Sequence, residues 1–221
     1  MKRIPSSELL DSDAGTPDEI QASLADLRRV NRWFGGTRTT RRMVEYVAKT
    51  TKASSLSLLE VAAGSGEVAY ATRDLLAGRG IRVDVTLLDR NASHVGNGGR
   101  SIVGDALALP FRDSSFDLVS CGLFAHHLSP EYVVQFVNQG LRVCRTAVLI
   151  NDLIRHPIHL ALIRAGTPLY RSRLTRHDAP ASVRQAYTSE EMIELLRRTR
   201  TARIDIETYC LFRMGVIAWK I

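Results

Sequence analysis

From Leu56 onward the apolar residues fall into two alternating rhythms. Leu56–Val61, Val83–Leu88, Ser101–Val103, Phe116–Cys121 and Ala147–Leu153 are short apolar segments bounded by Gly, Pro, Ser or Asp, and they predict strands. Between them, Glu67–Ala77 and Glu131–Val143 repeat their apolar positions at helical spacing. Strands separated by helices predict a parallel sheet, because parallel neighbours need a crossover connection. After Leu153 the rhythm breaks. Residues 154 to 187 hold a helical stretch, Pro157, Pro168, Pro180 and many arginines, and they predict an insertion. Thr188-Ser189-Glu190-Glu191 is a capping box opening a helix to about Arg198. Arg203–Thr208 and Leu211–Trp219 follow with no room for a crossover, so they predict an antiparallel hairpin.

Upstream, Thr16-Pro17-Asp18-Glu19 combines a threonine cap, a proline at the first helical position and an acid placed to bond back. This helix should run to Gly35-Gly36, and a second, with Met43, Val44 and Val47 on one face, to about Thr50. Residues 1 to 15 are polar and are expected to be poorly ordered. The expectation is one domain with a seven-stranded, mostly parallel α/β sheet, helices on both faces and a C-terminal antiparallel hairpin. Its parts are a helical cap over 1–50, a core over 55–153, an inserted lid over 154–187 and a closing helix and hairpin over 188–221.

Composition narrows the class. With 221 residues, 45% hydrophobic and 24% charged, the chain has the balance of a globular protein. No apolar run is long enough to span a bilayer, and the N-terminus lacks the apolar core of a signal peptide, so a cytoplasmic location is expected. Cys121, Cys144 and Cys210 sit in or beside apolar stretches, which suits buried thiols rather than a disulfide framework. The net charge of +7 comes almost wholly from arginines spread along the chain, a pattern that argues for a solvated basic surface over a dedicated nucleic-acid face. Cys, His and carboxylates show no spacing that marks a metal site.

The chemistry is concentrated at Leu58-Leu59-Glu60-Val61-Ala62-Ala63-Gly64-Ser65-Gly66-Glu67-Val68-Ala69. A strand that feeds a glycine loop and then a helix gathers backbone amides and the positive helix end at one point. Glycine lets a ligand approach that backbone without a β-carbon in the way. The next strand ends in Leu87-Leu88-Asp89, where an acid can accept bonds from ribose hydroxyls. Gly64-x-Gly66-x-x-Ala69 with Asp89 also satisfies a dinucleotide fingerprint, so a nicotinamide oxidoreductase is a rival reading. Three features separate the two. Glu60 at the strand tip suits a cationic amino group better than a pyrophosphate, Gly104-Asp105-Ala106-Leu107-Ala108-Leu109-Pro110-Phe111 follows the third strand, and the chain closes in a hairpin.

Together these segments resemble the class I S-adenosylmethionine-dependent methyltransferase superfamily, especially its ubiquinone/menaquinone-biosynthesis-like small-molecule branch. The likeness covers about residues 55 to 155 by motif and continues to the C-terminus by element order. It implies a Rossmann-like fold, S-adenosyl-L-methionine as cofactor and S-adenosyl-L-homocysteine as product. By position, Glu60 would hold the methionine amino group, and Gly64 and Gly66 would admit the cofactor. Ala62 stands where the family has its first glycine. Asp89 would bind the ribose, Arg90 would flank the adenine, and Asp105 and the Ala106 amide would bond its ring. Gly122 to Phe124 would line the sulfonium end. The resemblance also favours O-methylation of a phenolic, polyketide- or quinone-like acceptor.

Methyl transfer from a sulfonium needs in-line alignment in a dry pocket, and a hydroxyl nucleophile gains from a nearby base. His126 and His127, directly after the fourth strand, are the candidates, and His156 is a third. Asp152 and Arg155 at the fifth strand's tip, and His177 beside Asp178, are candidates to touch the acceptor. Trp33 and Phe34, with the 154–187 insertion, would form a lid over a flat acceptor. An RNA methyltransferase and a non-catalytic cofactor-binding protein are the alternatives, and both a monomer and a homodimer are compatible with the sequence.

Overall fold

The computed structural model describes residues 1–10, 14–91, 100–209 and 212–220. Its centre is a seven-stranded sheet. The strands are β1 Ser55–Val61, β2 Arg82–Asp89, β3 Arg100–Val103, β4 Phe116–Gly122, β5 Cys144–Leu153, β6 Arg203–Tyr209 and β7 Arg213–Trp219. Their order is β3-β2-β1-β4-β5-β7-β6. The first five run parallel, while β7 lies antiparallel between β5 and β6. The predicted alternation and closing hairpin are both present; the expected start of the last strand at Leu211, like Cys210, falls outside the described residues.

Seven α-helices accompany the sheet among the described residues: α1 Pro17–Trp33, α2 Gly36–Thr51, α3 Glu67–Ala77, α4 Pro130–Val143, α5 Pro157–Gly166, α6 Arg173–Gln185 and α7 Ser189–Leu196. The capping boxes at Thr16/Glu19 and Thr188/Glu191 both form, which explains why α1 and α7 begin where the sequence places them. One apolar cluster packs α4 and α7 against β1, β4, β5 and β7. The other packs α2 and α3 on the opposite face, through Met43, Val44, Val47, Leu58, Leu76 and Leu87. Central strands covered on both faces carry continuous apolar runs, as Leu58-Leu59 of β1 and Ala147–Ile150 of β5 do. Cys121 and Cys144 are buried free thiols within this core.

The N-terminal helices and the 154–187 insertion meet over the C-terminal ends of the strands. Buried Asp26 of α1 accepts from the Arg171 and Ser172 amides at 2.9 Å, and Ser23 bonds Thr175 at 3.0 Å. Asn151 at the tip of β5 donates to the Gly36 carbonyl and to Thr40, each at 2.7 Å, which pins α2 to the sheet.

The expectation of poor order over residues 1–15 is corrected for residues 1–10, which form a strap. Arg3 donates to the carbonyls of Gln185, His126 and Leu128 at 2.7 to 3.0 Å and lies 4.2 Å over the Tyr187 ring. The Leu9 and Leu10 amides donate to Asp178 at 2.9 and 3.0 Å. A polar segment with no periodicity is ordered here by bonds to distant residues, a cause local patterning does not register.

Candidate active site

Strand order reverses between β1 and β4, and in open α/β sheets ligands sit in the crevice outside the carboxyl ends at that point. A cavity of about 470 Å³ lies there. Of the residues anticipated from sequence, Glu60, Ala62, Gly64, Gly66, His126, His127, Trp33 and Phe34 line it.

The loop after β1 turns through three left-handed residues, Ala62 (φ 52°), Gly64 (φ 51°) and Gly66 (φ 71°). Ala62 therefore keeps the backbone conformation that glycine favours, and the loop is intact despite the substitution. A β-carbon at Gly64 would meet nothing within 4 Å, so this stretch of backbone is open. A β-carbon at Gly66 would fall 2.4 Å from Leu87, so glycine there is a packing requirement.

Glu60 is 4% exposed, and register sets it beside Ser120 of β4, whose hydroxyl donates to the carboxylate. Burial pushes the Glu60 carboxyl up to about 7, against the lowering effect of Ser120. A buried carboxyl without a cationic partner among the described residues, beside open glycine backbone, fits the ammonium end of an amino-acid ligand. The residues present thus suit the methionine portion of S-adenosylmethionine.

Asp89 does not line the cavity. Its carboxylate accepts from the Gly64 amide at 2.8 Å and the Asn91 amide at 3.0 Å, bracing the loop from behind. Asp105 is exposed and accepts from the Leu107 amide at 2.8 Å, while Ala106 packs against the core. Arg90 is exposed, and Phe124 stands edge-on to Phe136 at 5.5 Å. These five candidates lie beside the cavity and outside its wall among the described residues.

Behind the cavity floor, the loop after β4 makes a 3-10 turn over Ala125–His127. His126 is buried, its Nδ1 2.6 Å from Asp152 Oδ1, and its amide donates to Asp152 Oδ2 at 2.9 Å. Burial pulls the imidazole down, but the carboxylates of Asp152 and Glu8 prevail and push it up to about 10. Burial also raises Asp152 and Glu8, yet the histidines hold both below their ordinary values. Glu8 arrives on the strap. Its Oε1 accepts from Ser182 at 2.5 Å and Gln185 at 2.7 Å, and it lies 3.5 Å from His126 Nε2. Its Oε2 is 3.9 Å from His127 Nε2. Sequence reasoning missed Glu8, because nothing local ties the strap to the loop after β4.

Four anticipated residues have other duties. Asp152 faces His126 and not the cavity. Arg155 is a buried strut, donating to Glu191 at 2.6 and 2.9 Å, to the Ala186 carbonyl at 2.7 Å and to the Met1 carbonyl at 2.8 Å. His156 caps α5, its Nδ1 accepting from the Ile158 amide at 3.2 Å, and stacks on Phe212. His177 is largely exposed and bonds Asp178 at 2.8 Å. Polar residues at a strand tip look alike in sequence whether they face a ligand or a neighbouring loop.

Comparison with known proteins agrees with this architecture. Residues 59–150 match the sequence family described as "Methyltransferase domain". No curated protein sequence matches the chain. Among solved structures, the plantazolicin methyltransferase BpumL, in complex with a monoazolic desmethylPZN analogue and SAH, superposes with TM-score 0.73 at 15% identity. That superposition covers 96% of this chain and 94% of the other. Magnesium protoporphyrin IX methyltransferase from Synechocystis, with bound SAH, gives 0.55 at 13% identity over 85% and 84% of the two chains. A SAM-dependent methyltransferase from Methanosarcina mazei gives 0.52 at 19% identity over 76% and 93%. At these identities the superpositions bear on the fold. Residues 59–150 thus match a methyltransferase domain, and the superpositions give the chain the fold of these S-adenosylmethionine-dependent methyltransferases.

Proposed function

We propose that this protein transfers a methyl group from S-adenosylmethionine to a small, flat, apolar acceptor bound in the cavity at the sheet's switch point. The observation that carries the reading is the open left-handed loop at Gly64, with the buried carboxyl of Glu60, which has no cationic partner among the described residues, at its mouth. The cofactor supplies an electrophilic methyl: its C–S bond breaks as the bond to the acceptor forms, and sulfur leaves as a neutral thioether.

The protein's own residues bind, orient and exclude water. Glu60, in its ionised form, pairs with the ammonium group, and the Gly64–Gly66 backbone lets the chain of the amino acid lie close. Asp89 holds that loop through the Gly64 amide. Trp33 and Leu169, 74% and 80% exposed, stand with Phe34 and Leu162 at the rim of the cavity. Apolar side chains so exposed contribute little to the core, and a flat acceptor that covered them would gain their burial. The neighbours named for a plantazolicin and a magnesium protoporphyrin substrate are consistent with extended ring systems.

The finer reading is O-methylation of a phenolic, polyketide- or quinone-like acceptor. Glu8, His126 and His127 support it, because they stand together in the cavity wall, where the His127 imidazole can take a hydroxyl proton. The test is transfer of labelled methyl from S-adenosylmethionine to panels of phenols, amines and thiols, with products identified by mass spectrometry. Turnover on phenols with none on the other classes is the expected result. Turnover confined to amines or thiols would refute the oxygen assignment, and S-adenosylhomocysteine failing to bind would refute the cofactor assignment.

A further inference from the structure

The residues that meet behind the loop after β4 have a second chemical capacity. Glu8, His126 and His127 come from two distant parts of the chain, yet one ligating atom from each lies within 4.8 Å of the others. The measured separations are 3.5 Å between His126 Nε2 and Glu8 Oε1 and 3.9 Å between His127 Nε2 and Glu8 Oε2. Ligand atoms bound about 2.1 Å from one tetrahedral zinc are about 3.4 Å apart, so the cluster is within a small adjustment of that geometry.

Three features go beyond proximity. His126 is 3% exposed, and its Nε2 has no hydrogen-bond partner among the described residues although it faces the cluster. The other ring nitrogen bonds Asp152, which presents the Nε2 lone pair inward; a carboxylate behind the histidine is the usual outer shell of a metal ligand. Glu8 is itself oriented by Ser182 and Gln185 through Oε1, with Oε2 directed toward His127. All three ligating residues line the cavity, so a cation held by them would keep an open coordination position toward the acceptor.

We propose that Glu8, His126 and His127 form a divalent transition-metal site of the two-histidine, one-carboxylate type, with Zn2+ as its best-fitting occupant. The cation would fasten the N-terminal strap to the loop after β4. The inference borrows from the methyl-transfer reading only the direction of the open position; binding itself rests on the cluster alone.

The test uses the full chain, stripped of metal by chelator dialysis and titrated with Co2+ as a spectroscopic substitute for Zn2+. Intense visible d–d bands saturating at one Co2+ per chain, and abolished by competing Zn2+, are expected. Glu8→Gln and His127→Asn each weaken Zn2+ binding at least about 10-fold, as does Asp152→Asn through the outer shell. Because loss of a buried contact can unfold the protein, the three variants are checked by circular dichroism, and Ser182→Ala, which removes one of the bonds that orient Glu8 and a bond to the Asp178 carbonyl but no ligating atom, gives a milder loss of affinity. Absence of a saturable Co2+ spectrum in the folded wild type would overturn the proposal, as would bands unchanged in folded Glu8→Gln and His127→Asn. Calorimetry with S-adenosylhomocysteine on the stripped protein separates the two readings: binding there upholds the cofactor site whatever the metal result.

Discussion

Glu60 and Ser120 occupy one rung of the parallel pair β1 and β4, and the Ser120 hydroxyl donates to the Glu60 carboxylate inside the sheet. Burial raises Glu60 to about 7. Its folded value exceeds the unfolded one near 4.5, so the folded state binds more protons between those values. The contribution to stability is therefore greatest below about pH 4.5 and declines until about pH 7, by about 3 kcal/mol in all.

This titration controls cofactor affinity with the opposite sign. Only ionised Glu60 pairs with an ammonium, so affinity for S-adenosylhomocysteine should rise about 10-fold between about pH 6 and about pH 8. Calorimetry across that range checks it. Glu60→Gln should bind weakly with a flat profile; a wild-type profile that is itself flat would remove Glu60 from the ammonium site.

The two loop glycines predict different defects. Gly66→Ala places a β-carbon 2.4 Å from Leu87 at positive φ, and should cost about 3 kcal/mol of stability. Gly64→Ala meets no neighbour within 4 Å, so it should cost only about 1 kcal/mol of backbone strain while lowering S-adenosylhomocysteine affinity. Thermal melts with and without ligand distinguish the two.

The outline of the fold was legible in sequence because its causes are local. Helical and strand periodicities, the boxes at Thr16 and Thr188, and the glycines after β1 each act within a few residues. The site was legible only in half. The loop and Glu60 announce themselves by pattern, and His126 and His127 by their place after β4. Glu8 does not, since Asp178, Ser182 and Gln185 hold the strap in place from the far end of the chain. Arg155 and His156 misled for the converse reason: their partners, Glu191 and Phe212, lie in later segments.

The reassignment of Arg155 makes its own prediction. Arg155→Met should lower stability by about 2 kcal/mol, since it leaves the Met1 and Ala186 carbonyls without their side-chain donor and Glu191 with the Thr188 amide and its hydration. Denaturant melts should show this loss with S-adenosylhomocysteine affinity unchanged. An intact fold with lost acceptor binding would restore the residue to the substrate site.

The strap can be released without touching the cluster's own side chains. Arg3→Ala removes three bonds to carbonyls and the contact with Tyr187, and should speed hydrogen exchange at the Leu9 and Leu10 amides held by Asp178. Exchange mass spectrometry reads this directly; unchanged protection would mean that Arg3 does not fasten the segment.

The central claim is tested most directly by a crystal structure of the full chain with S-adenosylhomocysteine. The account predicts ligand density against Gly64–Gly66, its amino group at the Glu60 carboxylate and its sulfur directed into the cavity lined by His126 and His127. Density elsewhere on the molecule, or a ligand whose amino group lies away from Glu60, would contradict it.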